Sequence, residues 1–337
     1  MSSSLRLARR PSRHRRPQAG TRTDVLSVVI PVFNGAATIG SLVDALVSEN
    51  PGYELQIILV NDGSEDASGQ ACNSCARRHP AVVTFVDLAR NAGEHNAVMA
   101  GLAYAKGDWC VVMDDDFQNP PAEAFRLASF AQREGRDIVF GVYAAKRHPW
   151  WRNTGSRLAN VVARRLMGLP AGLYLSSFKC LSRFTVDNVL AYRGPFPYID
   201  GLALRATRNL AVLETHHENS RRERSGYTIP RLIHLALAMA VNFSVAPLRL
   251  ASALGLIFSF AGFAGAVAVI AERLHNPGLP VGWPSLVVTV LILSGLQLLL
   301  LGILGEYLGQ LLLTINGTPQ YVVREVVAEG RSSHGNP

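Results

Sequence analysis

Two stretches of this chain carry no charged residue at all, Ala251–Ala271 for 21 residues and Trp283–Gly305 for 23. At about 1.5 Å per helical residue each reaches roughly 30 Å, the thickness of a bilayer's hydrocarbon core. Core helices of soluble proteins are seldom so long and so apolar together, so 250–313 is expected to be a two-helix transmembrane hairpin. The loop between them, Glu272–Gly282, is short and holds prolines. Arg231, Arg249 and Arg324 flank the pair, which by the positive-inside rule keeps both ends in the cytoplasm. A multi-pass protein of the cytoplasmic membrane with its remaining domain inside the cell is the expectation. Gly and Ala within the spans permit close helix packing and so allow a homo-oligomer.

The chain has 337 residues, 48% of them hydrophobic, and a formal net charge of +8. Much of that charge lies at the start, where seven arginines fall between Arg6 and Arg22 with almost nothing apolar to bury. Residues 1–23 are therefore expected to be a disordered basic tail that leans on anionic lipid. They lack the apolar core of a secretory signal, and no aromatic residues accompany the arginines for stacking on bases, so a nucleic-acid partner is not indicated. Cys72, Cys75, Cys110 and Cys180 form no second close pair, which argues for ordinary thiols in a reducing compartment.

From 24 to 228 the pattern alternates. Apolar strand-like runs at Asp24–Pro31, Leu55–Val60, Val82–Asp87, Trp109–Met113 and Asp137–Val142 are separated by helical stretches such as Ile39–Val47, Asn96–Ala105 and Ala122–Arg133. Such alternation predicts an α/β domain on a mainly parallel sheet, with ligands at the carboxyl ends of the strands. Pro31, Asp62, Arg90 and Asp114 all fall at such ends. Leu175–Leu181 and Leu210–Thr215 are expected as edge strands, Thr38 as the cap of the first helix, and 229–249 as an interfacial amphipathic helix. Residues 314–337 are expected to be a cytoplasmic tail. No GxGxxG or GxxxxGK[ST] occurs, which removes dehydrogenases and P-loop ATPases.

The run from Trp109 to Pro121, WCVVMDDDFQNPP, carries the chemistry. An apolar strand ends in Asp114, Asp115 and Asp116, carboxylates that repel one another with no Lys or Arg in the stretch. A divalent cation holds such charges together. Asp114, Asp116 and the amide oxygen of Gln118 are hard ligands suited to Mg²⁺ or Mn²⁺. Mg²⁺ commonly shares its shell with substrate phosphates, which implies a nucleotide diphosphate partner. Asp62 has the chemistry to accept bonds from a base or a ribose. Further on, Lys146–Arg165 mixes Trp and Arg, as a phosphate-bearing membrane surface requires.

Together VVIPVFN, VNDGS, RNAGEHNAVMAGL, DDDFQNPP and the later PLR…LLGILGEYLG resemble bacterial polyprenyl-phosphate glycosyltransferases of family 2, from about Leu26 to Val326. The resemblance implies a GT-A fold and inverting transfer of a sugar from a nucleotide-sugar donor to an undecaprenyl-type phosphate, for the cell envelope. It implies a nucleotide pocket lined by Pro31, Phe33, Val60 and Asp62, with Asp114, Asp115 and Asp116 at the sugar diphosphate. Metal would sit on Asp114, Asp116 and Gln118, and Arg152 and Arg157 would hold the acceptor phosphate, Arg157 with a catalytic part. The sequence departs from the pattern at Gly35, where Glu is usual, and at Asp115, where a small residue is usual. Asn61 replaces Asp, Phe117 replaces Leu, Tyr143 stands at an Arg position, and RSGYT at 224–228 lacks a Lys. A processive polysaccharide synthase is the alternative enzyme, weakened by the lack of QxxRW. A catalytically silent membrane partner is the alternative outside enzymes.

Overall fold

The computed structural model describes residues 25–143, 175–216, 246–275, 282–329 and 331–333. The expected basic tail, Arg152, Arg157, the RSGYT stretch and most of the expected interfacial helix lie outside these residues.

Strands β1 (Val25–Val32), β2 (Glu54–Asn61), β3 (Val83–Leu88) and β4 (Trp109–Val112) alternate with helices α1 (Ile39–Ser48), α2 (Ser68–Arg78), α3 (Glu94–Tyr104) and α4 (Pro121–Glu134). The chain continues through β5 (Ile138–Tyr143), β6 (Lys179–Ser182), α5 (Arg183–Leu190), α6 (Ile199–Ala206) and β7 (Leu210–Thr215). Two long helices follow, α7 (Ala246–His275) and α8 (Trp283–Ile315), then β8 (Val323–Ala328) and β9 (Arg331–Ser333). The sheet has nine strands in the order β7-β5-β6-β4-β1-β2-β3-β8-β9. Its run β3-β2-β1-β4 is parallel throughout, and the register pairs Pro31 with Val60 and Asn61 with Asp87, so the strands end level. Antiparallel pairs occur on both flanks of that run.

Strand alternation sets the two faces. Leu26, Val28 and Ile30 pack with α1, α2 and α4 on one side, whereas Val29, Ile58 and Val60 pack with α3, α5 and α6 on the other. Burial on both faces explains why these strands are β-branched runs rather than polar-apolar alternations. Pro121 opens α4 at a position where its missing N–H costs nothing, and Gly135 closes it in the left-handed region at φ 59°. Thr38 stands at the start of α1, but its hydroxyl donates to Gly35 O instead of capping the helix.

Two expectations are corrected. Lys179–Ser182 is an interior strand between β4 and β5, fully covered, and only Leu210–Thr215 is an edge. The stretch expected as a tail contains β8 and β9, and β8 runs antiparallel along β3 with Val86 opposite Val326. Ala89 N–H donates to Val322 O at 2.8 Å, and the Arg324 guanidinium reaches Ala89 O at 2.9 Å. Apolar Val323, Val326 and Val327 have a buried place to go, which a solvated tail does not offer.

Both apolar stretches are helical. Ala246–Arg249, assigned from sequence to an interfacial helix, forms the first turn of α7. Among the described residues one stretch is long and apolar enough to cross a membrane, Ile292–Ile315, 24 residues with none buried. It lies nearer the C-terminus than the expected Trp283–Gly305, since α8 runs ten residues past Gly305 and its first turns include Trp283, Pro284, Ser285 and Thr289. The apolar part of α7, Ala251–Gly265, is shorter.

Candidate active site

The level carboxyl ends of β1, β2, β3 and β4 carry loops that are tied to one another. After β1, Asn34 N–H donates to Ser64 Oγ at 3.0 Å, Gly35 N–H to Ser68 Oγ at 2.8 Å and Ala36 N–H to Asp66 Oδ2 at 3.3 Å. In return Glu65 N–H donates to Asn34 Oδ1 at 3.0 Å. Amides of the β1–α1 loop thus find side-chain acceptors on the β2–α2 loop and at the start of α2. Pro31 is partly exposed here and Phe33 is 44% exposed, available to a ligand.

Asp62 turns inward from the end of β2, 3% exposed, and its two oxygens accept Ala92 N–H at 2.6 Å and Gly93 N–H at 3.0 Å. Burial raises its pKa, and those two hydrogen bonds oppose the rise. Gly63 follows at φ 61°, with Asn91 N only 2.4 Å from where a Cβ would stand, so the turn admits glycine alone. Asp62 therefore lashes the β3–α3 loop in place. Val60 is fully buried against α3, with Cγ2 3.0 Å from the position of a Gly101 Cβ, and serves the core.

At the end of β4 the acidic residues diverge. Asp114 Oδ2 accepts the Ser177 hydroxyl at 2.7 Å, and Asp116 Oδ1 accepts Gln118 N–H at 3.0 Å. Phe117 between them sits at φ 61°, a costly conformation for a non-glycine residue and one found at functional turns. Asp115 points the other way, 6% exposed, with Oδ2 2.0 Å from where a Gly35 Cβ would be. The two departures from the family pattern thus meet in space. Glycine at 35 leaves the room that the Asp115 carboxylate fills.

A second polar group faces Asp114. Glu94 in the first turn of α3 keeps an exposed surface, yet desolvation of its carboxyl by the surrounding chain, then Asp114, pushes its pKa up to about 7, with Lys179 opposing. Lys179 and Asp200 form a buried ion pair, their side chains 5% and 8% exposed. His95 lies edge-on to Tyr198, ring centres 5.0 Å apart, and burial pushes it down to about 4. Sequence reading missed Glu94, His95, Lys179 and Asp200. The available signal was Lys179 itself, a lone cation in the apolar run Phe178–Leu181, where Lys is almost never buried unpaired.

No group of three or more His, Cys, Asp or Glu converges on a metal position among the described residues. Two hard carboxylates beside a third acid still fit Mg²⁺ or Mn²⁺, because such ions take one or two carboxylates and complete their shell with phosphate oxygens and water. A cation there would also relieve the repulsion between Asp114 and Glu94. All four cysteines are buried free thiols.

Residues 27–189 match the family model described as glycosyl transferase family 2. The undecaprenyl-phosphate 4-deoxy-4-formamido-L-arabinose transferase of Enterobacter sp. (strain 638) is 32% identical over 312 residues, 91% of this chain and 95% of the relative. Its namesake in Pseudomonas aeruginosa (strain LESB58) is 33% identical, over 90% of this chain and 91% of the relative. Among solved structures, glucosyl-3-phosphoglycerate synthase from Mycobacterium tuberculosis with Mn²⁺, uridine diphosphate and glucosyl-3-phosphoglycerate overlays with a TM-score of 0.49 and 21% identity. That overlay covers 65% of this chain and 79% of the other, too loose a likeness to assign a site.

Proposed function

The chain belongs to glycosyl transferase family 2, and on that premise we propose that it transfers a sugar from a nucleotide-sugar donor to a polyprenyl phosphate of the undecaprenyl type. One observation carries the reading. The likeness to undecaprenyl-phosphate sugar transferases runs over about nine-tenths of both chains, through the strand-end site and the apolar helices alike. In this reading α7 and α8 cross the cytoplasmic membrane as a hairpin, and the GT-A type sheet lies at its inner face.

The roles follow from chemistry. A lipid monophosphate, with a second pKa near about 6, is largely dianionic at neutral pH and is a nucleophile without a dedicated base. Its oxygen attacks the anomeric carbon, the bond to the nucleotide diphosphate breaks on the opposite face, and the configuration inverts. Asp114 and Asp116, with Gln118, would hold Mg²⁺ or Mn²⁺, which when bound supplies Lewis-acid stabilisation of the departing diphosphate. Pro31 and Phe33 flank the nucleotide on a loop held by Ser64, Asp66 and Ser68. Asp62 fixes the β3–α3 loop beside it. Arg152 and Arg157 bind the acceptor phosphate, as guanidinium groups suit a phosphate fork.

The test is turnover. Purified protein with Mg²⁺ or Mn²⁺, undecaprenyl phosphate and a panel of nucleotide sugars is expected to give a lipid-phosphate-sugar, read by mass spectrometry. Folded protein that converts no donor in the panel overturns the reading, and a polymer product replaces it with a processive synthase.

A further inference from the structure

The loop between α5 and α6 places an aromatic ring and an arginine on the surface. Phe196 is 47% exposed, next to exposed Arg193, although Tyr192, Pro197 and Tyr198 around them are wholly or partly buried. The loop is held in this shape: Tyr192 Oη donates to Phe196 O at 3.4 Å. It is also fastened to the segment that follows α8. Gln320 Nε2 donates to Tyr192 O at 3.2 Å and to Gly194 O at 2.7 Å. Burial raises the Tyr321 phenol and the charge of Arg193 opposes the rise, which sets Arg193 beside Tyr321.

The position of Gln320 matters. The apolar surface of α8 continues to the helix end, with Leu311 54%, Leu312 58% and Ile315 72% exposed. Five residues later comes Gln320, and a chain of that length reaches at most about 18 Å. Val322 just beyond is 42% exposed as well. An aromatic ring, an arginine and a tyrosine at the exit of an apolar helix are the residue types that populate a membrane-water boundary.

We propose that the Tyr192–Phe196 loop is a second membrane contact of the sugar-transfer domain, with Phe196 entering the boundary between headgroups and acyl chains and Arg193 lying against lipid phosphates. The proposal rests on reading α8 as a membrane helix. Gln320 ties the loop within five residues of the apolar end of α8, so the occupant is the bilayer. The loop leads directly into Tyr198, which packs on His95, and Asp200, which pairs with Lys179.

All native thiols are buried, so Phe196→Cys can be labelled selectively with an environment-sensitive fluorophore in the full chain. The protein is reconstituted in phosphatidylethanolamine/phosphatidylglycerol vesicles containing lipids spin-labelled high on the acyl chain. The label at 196 is expected to be quenched several-fold more than one at Glu49→Cys, an exposed site after α1 at the opposite ends of the strands. Leu299→Cys on α8, 61% exposed, is the membrane reference. Quenching at 299 without quenching at 196 overturns the proposal and leaves the membrane reading of α8 intact; quenching at neither overturns both. A signal at 196 that follows protein concentration instead of lipid makes the loop an interface between copies and also overturns it. In parallel, Phe196→Ser is expected to raise the KM for undecaprenyl phosphate in vesicles several-fold while shifting that for a short, water-soluble polyprenyl phosphate little. Equal shifts for both acceptors point to a structural role and count against the proposal.

Discussion

The sheet has two kinds of flesh around one spine. The run β3-β2-β1-β4 is assembled from neighbouring strand-helix units, and its loops are cross-tied by hydrogen bonds from one unit to the next, such as Gly35 to Ser68 and Gly93 to Asp62. The flanks are assembled from strands that return from far along the chain: β6 slots between β4 and β5, and β8 arrives from beyond α8. The proposed donor site lies on the first kind of structure, and the buried ion pair Lys179–Asp200 belongs to the second. The difference teaches that the loops after β1, β2 and β3 hold one another, whereas the acidic end of β4 is met by chain that returns to the sheet, Ser177 on Asp114 included.

Breaking the returning flank should give the largest effect. Lys179→Met leaves Asp200 buried without its cation, and loss of about 3–5 kcal/mol of stability is expected from thermal or denaturant melts. Lys179→Met with Asp200→Leu should recover most of that loss, since the remaining groups are then apolar. If the single variant melts like the parent, the ion pair is not what holds that wall.

In the parallel run the effect should fall on chemistry. Asp116→Asn is expected to lower turnover by at least about 10²-fold, as removal of metal-assisted charge stabilisation implies. Its melting temperature without metal should stay level or rise, because repulsion among Asp114, Asp115 and Asp116 is eased. A variant that keeps its activity but melts early would reverse the contrast between the two regions.

Gly35 sharpens the comparison within the donor half. Gly35→Ala sets a Cβ 2.0 Å from Asp115 Oδ2, and an overpacking loss of about 1–3 kcal/mol is expected, with weaker donor binding. Adding Asp115→Ala should return part of it, measured as a double-variant cycle on melting and on donor KM. Strictly additive changes would mean that the two positions are not coupled.

The smallest effect is one of pH. Burial pushes the His95 imidazole down to about 4 in the folded chain, from an ordinary value of 6.5. Between those values the unfolded chain binds a proton that the folded one refuses, so this contribution is intact above 6.5 and is lost as pH falls toward 4. At pH 5 the loss is roughly 2 kcal/mol. The drop in melting temperature from pH 7 to pH 5 should therefore be smaller in His95→Gln than in the parent.

Legibility in the sequence follows the same division. Strands β1 to β5 and helices α1, α3 and α4 were readable because each is an apolar run bounded by turn residues, whatever partner it later finds in the sheet. The acidic residues at the end of β4 were readable for the same reason. The place of β6 was not, since four residues with a lysine among them look like an edge until Asp200, 21 positions on, supplies the counter-charge. Nor was β8, because Val323–Ala328 reads as an ordinary short run and nothing local announces β3 as its partner. The inward turn of Asp115 required knowing that Gly35 stands above it.

The return of β8 to β3 also orders how the protein is made. Asp87 and Arg324, joined across that edge, are 237 positions apart in the chain. At about 5–20 residues per second, synthesis takes on the order of ten to fifty seconds to cover that distance. Until then β3 is an open strand edge of the kind that recruits other chains. Both long apolar helices leave the ribosome before the closing strand does. On the membrane reading proposed above, delivery of the helices to the bilayer precedes completion of the sheet, and the nascent domain waits there, unfinished on one side.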